Sequence, residues 1–446
     1  MLRKFAYPIA KNIDSLLNQQ VKEANKILDF GEKATKQQLL DFRLNALQSL
    51  ITHAYVNVPY YRNLFQELGL TPRDFSSLED IKKIPILTKD EIRQFGEKLL
   101  STQRNPKDLL VSGTGGTTSE PINTTIDRRA RALGTYAARR GEMWMGWRPG
   151  IPMVKLFGGT LGLPTKITLR TKLREFALGE IFLSAYDLSR NNIRDYLRVI
   201  DDNSPCIIKG YASALYNLAL FAEEINYRPQ NIISLFATAE YLPDHWGIKI
   251  SKVFNAPVKC YYGCGEVNSL GFQINQFGPY IVPDEHVIIE SGSAKNDGRV
   301  AYDNSLLLTP LFNYAQPLLR YQVGDIGEVN PPGNHHPTRS TITNLQGRTS
   351  DMLLREDGSF VSPYLGQAII AHAAIKVKKF QFIQTNLHTI EFLYEPVHGD
   401  ISETEKLALE QIFKSHISSE INFVFTKTEK FELTRNNKMR IIISKI

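Results

Sequence analysis

Between Ile151 and Gly263 the chain alternates short apolar runs with helical segments: "IPMVKLF", "NIRDYLRVI", "CIIKGY", "SALYNLALFAEEI", "IISLFATA", "HWGIKISKVF" and "APVKCYYG". This order constrains the fold most. A strand that returns to its sheet through a helix lies parallel to its predecessor, and the helices cover the sheet faces. The expected class is α/β with a largely parallel sheet, and such sheets bind ligands at the carboxyl ends of their strands.

Ahead of this region, apolar residues recur at helical spacing from Asp14 to Phe65, in "LLNQQVKEANKIL" and "QLLDFRLNALQSLITHAY". These predict packed amphipathic helices ending in a turn at "NVPYY". The stretch "DLLVSGTGGTTSEPINTTI" reads as a strand, a polar loop and a second strand, followed by a helix from Arg128 to about Met145. From Gly278 to Val329 the runs "HVIIE", "RVAYD", "SLLLTPL" and "LLRYQVGDIGEV" predict a β-rich subdomain, and "NPPGNHHPTRS" predicts a surface loop. The end of the chain reads as a small α+β unit: strands "KKFQFIQ" and "TIEFLYE", a helix "ETEKLALEQIFKSHI", and closing strands around "NFVFT" and "MRIIISK". The expected division is an N-terminal domain over 1–350, with a helical leader 1–100, α/β sheets 101–277 and a β-rich part 278–350, and a C-terminal domain over 351–446.

A chain of 446 residues, 42% hydrophobic and 22% charged, has an ordinary globular composition and is too long for one core. No run approaches the roughly 20 apolar residues of a membrane helix. The N-terminal "MLRKFAYPIAKNIDSLL" is broken by Pro8 and Lys11 and reads as neither signal peptide nor anchor. Three cysteines, Cys206, Cys260 and Cys264, are too few for a disulfide framework, so a reducing cytoplasm is expected. Cys264 has no His partner that would mark it as a nucleophile, and the adjacent His335 and His336 read as surface residues rather than metal ligands. The net charge of +7 is spread along the chain, with no nucleic-acid recognition motif, which suits a basic enzyme with an anionic substrate and no nucleic-acid partner.

The stretch "VSGTGGTTSEPI", Val111 to Ile122, combines backbone freed by glycine with a set of hydroxyl donors. Both are what a loop around a polyphosphate needs. It lacks the Gly-Lys-Ser/Thr ending of a Walker loop and precedes a strand rather than a helix. Taken by itself it fits a Gly/Thr-rich hairpin connection equally well.

Four further segments follow in order: "YYGCGE" (Tyr261 to Glu266), "LLRYQVGD" (Leu318 to Asp325), "GRTSDML" (Gly347 to Leu353) and "TRNNKMR" (Thr434 to Arg440). With the loop, these resemble the motif series of the adenylate-forming (ANL) ligases, the superfamily of acyl-CoA synthetases, adenylation domains and luciferases. The stretches "LSAYDLSRNNIRDYLRVI", "IIKGYASALYNLALFAEE" and "ATAEYL" are most similar to its phenylacetate-CoA ligase branch, and in particular to CapK-like proteins associated with capsular polysaccharide synthesis.

The resemblance implies an ATP- and Mg²⁺-dependent reaction in which a small-molecule carboxylic acid becomes acyl-AMP and is passed to CoA or to an amine acceptor. Two unit charges 4 Å apart repel by roughly 4 kcal/mol at an effective dielectric near 20, so two anionic reactants need a cation between them. The resemblance implies that Thr114, Gly115, Gly116, Thr117, Thr118 and Ser119 cradle the phosphates and that Glu266 holds Mg²⁺. It likewise implies that Tyr262 lies against the adenine, framed by Thr238, Ala239 and Glu240, with Asp325 accepting from the ribose hydroxyls and Arg348 nearby. Lys438 would bridge the carboxylate and the α-phosphate, and Asp351 would be the hinge of a mobile C-terminal domain. The acyl pocket is expected near Tyr136, Phe157, Gly158 and Tyr211. The chain departs from the family pattern at Ser119, Glu120, Gly265 and Asn437, which leaves a second reading: a nucleotide-binding assembly protein of a polysaccharide pathway without turnover.

Overall fold

A computed structural model describes residues 15, 16, 18–113, 123–158, 179–292, 304–346, 353–357, 360, 361, 375, 377–397, 399–432 and 441–446. The leader forms helices α1 (Gln19–Lys33), α2 (Lys36–Asn57), α3 (Pro59–Glu67) and α4 (Lys89–Phe95). Thr35 starts α2 with a reciprocal cap, its hydroxyl accepting from Gln38 N while the Gln38 side chain accepts from Thr35 N. Pro59 opens α3, where its missing N–H has no cost. Strands β1 (Leu109–Gly113) and β2 (Asn123–Asp127) pair antiparallel and lead into α5 (Arg128–Trp144).

The alternating region gives β3 (Met153–Phe157), β4 (Glu180–Ser184), α6 (Ile193–Asp202), β5 (Cys206–Tyr211), α7 (Ala212–Glu224), β6 (Ile232–Thr238), α8 (Asp244–Phe254) and β7 (Val258–Cys264). It continues through β8 (Asn268–Gln273), β9 (Tyr280–Ile281), β10 (Val287–Gly292), β11 (Ser305–Pro310), β12 (Tyr321–Asn330) and β13 (Thr341–Gln346). The strands β4, β3, β5, β6 and β7 are parallel, as the alternation predicts. From β7 onward the pairing is antiparallel, and all belong to one eleven-stranded sheet in the order β10-β11-β12-β13-β9-β8-β7-β6-β5-β3-β4. The β-rich segment therefore extends the α/β sheet. The expected strand "RVAYD" lies outside the described residues.

One face of the parallel strands, with Val154, Leu156, Ile208, Leu235 and Ala237, packs against α6, α7 and α8. The other face, with Met153, Ile207 and Phe236, lies against Met145 and Trp147 at the end of α5. The leader packs on the antiparallel strands in a separate cluster that joins Leu47, Leu50 and Ile51 to Val287, Leu306 and Leu308. The C-terminal unit has β14 (Leu353–Leu354) and β15 (Phe360–Val361) as a short pair. Its main sheet consists of β16 (Val377–Asn386), β17 (Thr389–Pro396), β18 (Asn422–Lys427) and β19 (Ile442–Ser444), with α9 (Glu403–His416) packed on it through Leu409 and Phe413.

Two features lock α5 onto the sheet. Gly141 brings the helix so close to β8 that a Cβ would stand 2.2 Å from the Phe272 ring, which is itself held between Tyr261 and Trp144. Beside it lies a buried charge cluster whose side chains are between 5% and 15% exposed. Arg139 meets Glu142 at 2.9 Å and also Glu180, Lys155 meets Glu180 at 2.7 Å, and Lys209 meets Glu142 at 2.7 Å. The cations also face aromatic rings, Lys209 over Tyr261 at 4.5 Å and Arg139 over Trp147 at 4.6 Å. Burial alone would raise the Glu180 carboxyl, but Lys155 and Arg139 outweigh it and hold it at about 2.

Gly141→Ala tests the close approach. Alanine gains about 1 kcal/mol of helix propensity, but overpacking a ring that cannot move costs about 1–3 kcal/mol. The variant is expected to be the less stable, with a lower urea midpoint. The charge cluster sets an acid limb. A carboxylate with a depressed folded value contributes stability above its unfolded value, here the ordinary 4.5, and that contribution is lost as pH falls toward 2. Glu180→Gln should cost about 3–5 kcal/mol at neutral pH by leaving buried cations unpaired. It should also flatten the fall in urea midpoint across that window, which a pH series of unfolding curves will measure.

Candidate active site

The carboxyl ends of the parallel strands carry the first group of expected site residues. Thr238 ends β6, and its hydroxyl donates to the Tyr261 carbonyl on β7 at 2.9 Å. Ala239 follows with φ +69°, in the left-handed region that a residue with a Cβ rarely occupies. This turn aims Glu240 back at α7, where its Oε2 accepts from Ser213 N at 2.8 Å. Glu240 thus satisfies an open N–H at the start of a helix, a task that sequence reasoning did not assign to it.

The second group meets across β7 and β12. Tyr262 Oη donates to Asp325 Oδ2 at 2.9 Å, and Tyr321 Oη donates to Glu266 Oε1 at 2.5 Å. Each segment supplies one phenol and one carboxylate, four residues apart, and the segments run in opposite directions so that the two bonds cross-connect them. In sheet order β13, β9 and β8 separate these strands, so the sheet curls to bring their ends together. Glu266 itself is buried in the turn between β7 and β8, while Gly265 before it is exposed. Burial pushes the neighbouring Cys264 thiol well up and Glu266 adds in the same direction, so this cysteine is no thiolate nucleophile.

The phosphate-loop residues Thr114 to Ser119, with Glu120, lie outside the described residues, as do Arg348, Asp351, Asn437 and Lys438. The stem of that loop is described. Gly113 pairs with Asn123, and β2 is tied to the segment just before β12: Thr125 N donates to Gln316 Oε1 at 2.6 Å and Asn313 Nδ2 donates to Thr125 O at 2.9 Å. Asp127 caps α5 through Ala130 N and accepts from Tyr314 N at 3.0 Å with its other oxygen. The hairpin is therefore anchored next to the strand that carries Tyr321 and Asp325.

Three of the four expected acyl-pocket residues come together. Phe157 ends β3 and meets Tyr211, at the end of β5, edge to face with centroids 5.2 Å apart. Gly158 is filled from outside by Tyr186, whose ring carbons would lie 1.9 Å from a Cβ there. Burial raises the Tyr211 phenol strongly and the Tyr186 phenol to about 12, so both are neutral hydrogen-bonding groups. Tyr136 sits apart from them, on α5 against the leader cluster. Tyr186 also reaches the C-terminal unit: its carbonyl accepts from Arg355 Nη2 at 3.2 Å and its ring meets His416 edge-on at 6.2 Å. Sequence reasoning missed Tyr186 and the charge cluster. For the cluster a signal existed, since Lys155 in "MVKLF" and Lys209 in "CIIKGY" are cations inside otherwise apolar parallel strands.

Among the described residues no group of three or more His, Cys, Asp or Glu could hold a metal, and no helix is long and apolar enough to cross a membrane. No protein-family model matches the chain. It is 23% identical to Protein CapK of Staphylococcus aureus over 425 residues, covering 92% of this chain and 90% of that one. It is 26% identical to phenylacetate-coenzyme A ligase of Pseudomonas putida, covering 74% of each chain. Among solved structures, 2-hydroxyisobutyryl-CoA ligase in complex with 2-HIB-AMP and CoA in its thioesterification state superimposes with a TM-score of 0.61 at 20% identity, covering 93% of this chain and 91% of that one. The chain has the fold of the adenylate-forming acyl-CoA ligases and is similar over most of its length to CapK and the phenylacetate-coenzyme A ligases.

Proposed function

We propose that the chain is an ATP-dependent ligase that forms an acyl-adenylate and transfers the acyl group. A carboxylate oxygen of the acid attacks the α-phosphorus of ATP, the bond to the β-phosphate oxygen breaks, and pyrophosphate leaves. A thiol sulfur of CoA, or an amine nitrogen, then attacks the acyl carbon and AMP departs. The observation that carries this reading is the meeting of Tyr262, Glu266 and Asp325 through two crossed hydrogen bonds. The similarity in sequence to phenylacetate-coenzyme A ligases supports it.

In this reading Tyr262 and Asp325 receive the adenosine, the first by its ring and the second by carboxylate oxygens that can accept from the ribose. Thr238, Ala239 and Glu240 frame the base, Arg348 lies by the ribose or phosphate, and Thr114 to Ser119 cradle the β- and γ-phosphates. Glu266 fits a magnesium ion by the chemistry of its donor: a hard carboxylate oxygen, buried, and able to act with substrate phosphates rather than within an all-protein cage. When bound, magnesium would offset the negative charge that the acid meets at the triphosphate. Lys438 supplies the bridging cation to the transition state, and Asp351 is the hinge between 1–350 and 351–446. Phe157, Gly158, Tyr211 and Tyr136 shape the acyl side. The reading extends to a cytoplasmic role in decorating a surface polysaccharide, which the motif resemblance to CapK-like proteins implies, with CoA or an amine as acceptor.

Acid-dependent exchange of labelled pyrophosphate into ATP tests the reaction, across aryl, fatty, amino and uronic acids. Exchange with one class of acid is the expected result. Nucleotide binding without exchange for any acid would instead support the non-catalytic assembly protein. Lys438→Ala is expected to slow exchange by about 100- to 1000-fold, the loss typical of a group that stabilises transition-state charge. Its affinity for ATP, measured by calorimetry, should change far less.

A further inference from the structure

We propose that Tyr321 is a positioning residue for Glu266: its phenol holds one carboxylate oxygen and so fixes how the other is offered to the metal ion that accompanies the nucleotide. This rests on the reading of Glu266 as the carboxylate that holds magnesium.

The pair is built for rigidity. Tyr321 is 0% exposed and Glu266 4%, and the bond between them is short, at 2.5 Å. The backbone of Tyr321 is gripped on both sides, with Leu87 N donating to Arg320 O at 3.2 Å and Gln322 N to Leu87 O at 2.9 Å. Arg320 before it has φ +53°, a strained conformation for a residue with a Cβ. It is held there by Thr309 Oγ1 at its N–H, by Ile84 O at 2.7 Å, and by Glu290 at its guanidinium. A buried phenol could have been satisfied by any backbone carbonyl. A carboxylate is the expensive choice, because a buried anion needs a cation. A nucleotide-bound divalent cation would bring such a charge, and the Tyr321 phenol would keep the carboxylate in place to meet it.

Tyr321→Phe removes only the hydroxyl. The probe is manganese(II), followed by electron paramagnetic resonance, binding to protein saturated with the non-hydrolysable α,β-methylene analogue of ATP. The expected result is a half-saturating manganese concentration raised about 10- to 100-fold, or about 1.4–2.7 kcal/mol, the range of a hydrogen bond to a charged group. Affinity for the analogue in EDTA should stay within about twofold, a split that general loosening would not produce. Glu266→Asp keeps the charge but draws it back from the hydroxyl, and should reproduce the loss even if Tyr321→Phe does not fold. In a Glu266→Gln background, Tyr321→Phe should add nothing. Unchanged manganese affinity in Tyr321→Phe, or an equal loss of metal-free nucleotide affinity, overturns the proposal. If Glu266→Gln itself keeps full manganese affinity, the reading of Glu266 fails as well. If Glu266→Gln loses manganese while Tyr321→Phe keeps it, only the positioning role fails.

Discussion

Two phenol–carboxylate hydrogen bonds, Tyr262 to Asp325 and Tyr321 to Glu266, hold the carboxyl end of β7 beside the start of β12. The sheet does not bring these strands together by ladder pairing, since three strands stand between them. Its curl has to be closed by side chains. A hydrogen bond to an ionised partner in a poorly solvated setting is among the stronger ones available for this. Because each segment contributes one donor and one acceptor, sliding either strand by a residue would break both bonds at once and turn the side chains to the other face. The register of these two strand ends is fixed by the same four residues.

Helix α5 ties that register to the neighbouring elements. Its lower half is pinned by the Gly141–Phe272 contact and by Arg139 and Glu142 in the charge cluster. Its N-cap, Asp127, is shared with Tyr314, eleven residues before Asp325. The loop stem, the helix and β12 are thus one mechanical unit. A buried cluster of three cations and two carboxylates is a poor source of net stability. It does specify one docking of the helix, because any other would leave charges unpaired away from water.

The parallel core was legible because its signal is periodic: short apolar runs between Ile151 and Gly263 alternate with helical segments, and strands β3, β5, β6 and β7 and helices α6, α7 and α8 appear where those runs and segments lie. The small C-terminal unit was legible for the same reason. The strands β4 and β8 were not, since "EIFLS" is short and "NSLGFQ" is broken by Gly271 and polar residues, so neither carries a clear period. That the β-rich segment joins the α/β sheet is a matter of long-range pairing, on which local pattern is silent. Glu266, Tyr262 and Asp325 were singled out through a motif resemblance, and the structure brings those three together. The motifs could not say that Tyr321 is the partner of Glu266, because that pairing depends on two distant segments running in opposite directions. Nor could they say that Glu240 serves a helix N-terminus, which follows from the left-handed turn at Ala239.

Tyr186 fills the space over Gly158 with its ring and touches Arg355 and His416 of the C-terminal unit with its backbone and ring edge. One side chain is therefore a wall for whatever lies near Phe157 and Tyr211 and a footing for the smaller unit. Remodelling this wall would also shift the footing, so the space beside Phe157 and Tyr211 and the arrangement of the two units would have to be retuned together.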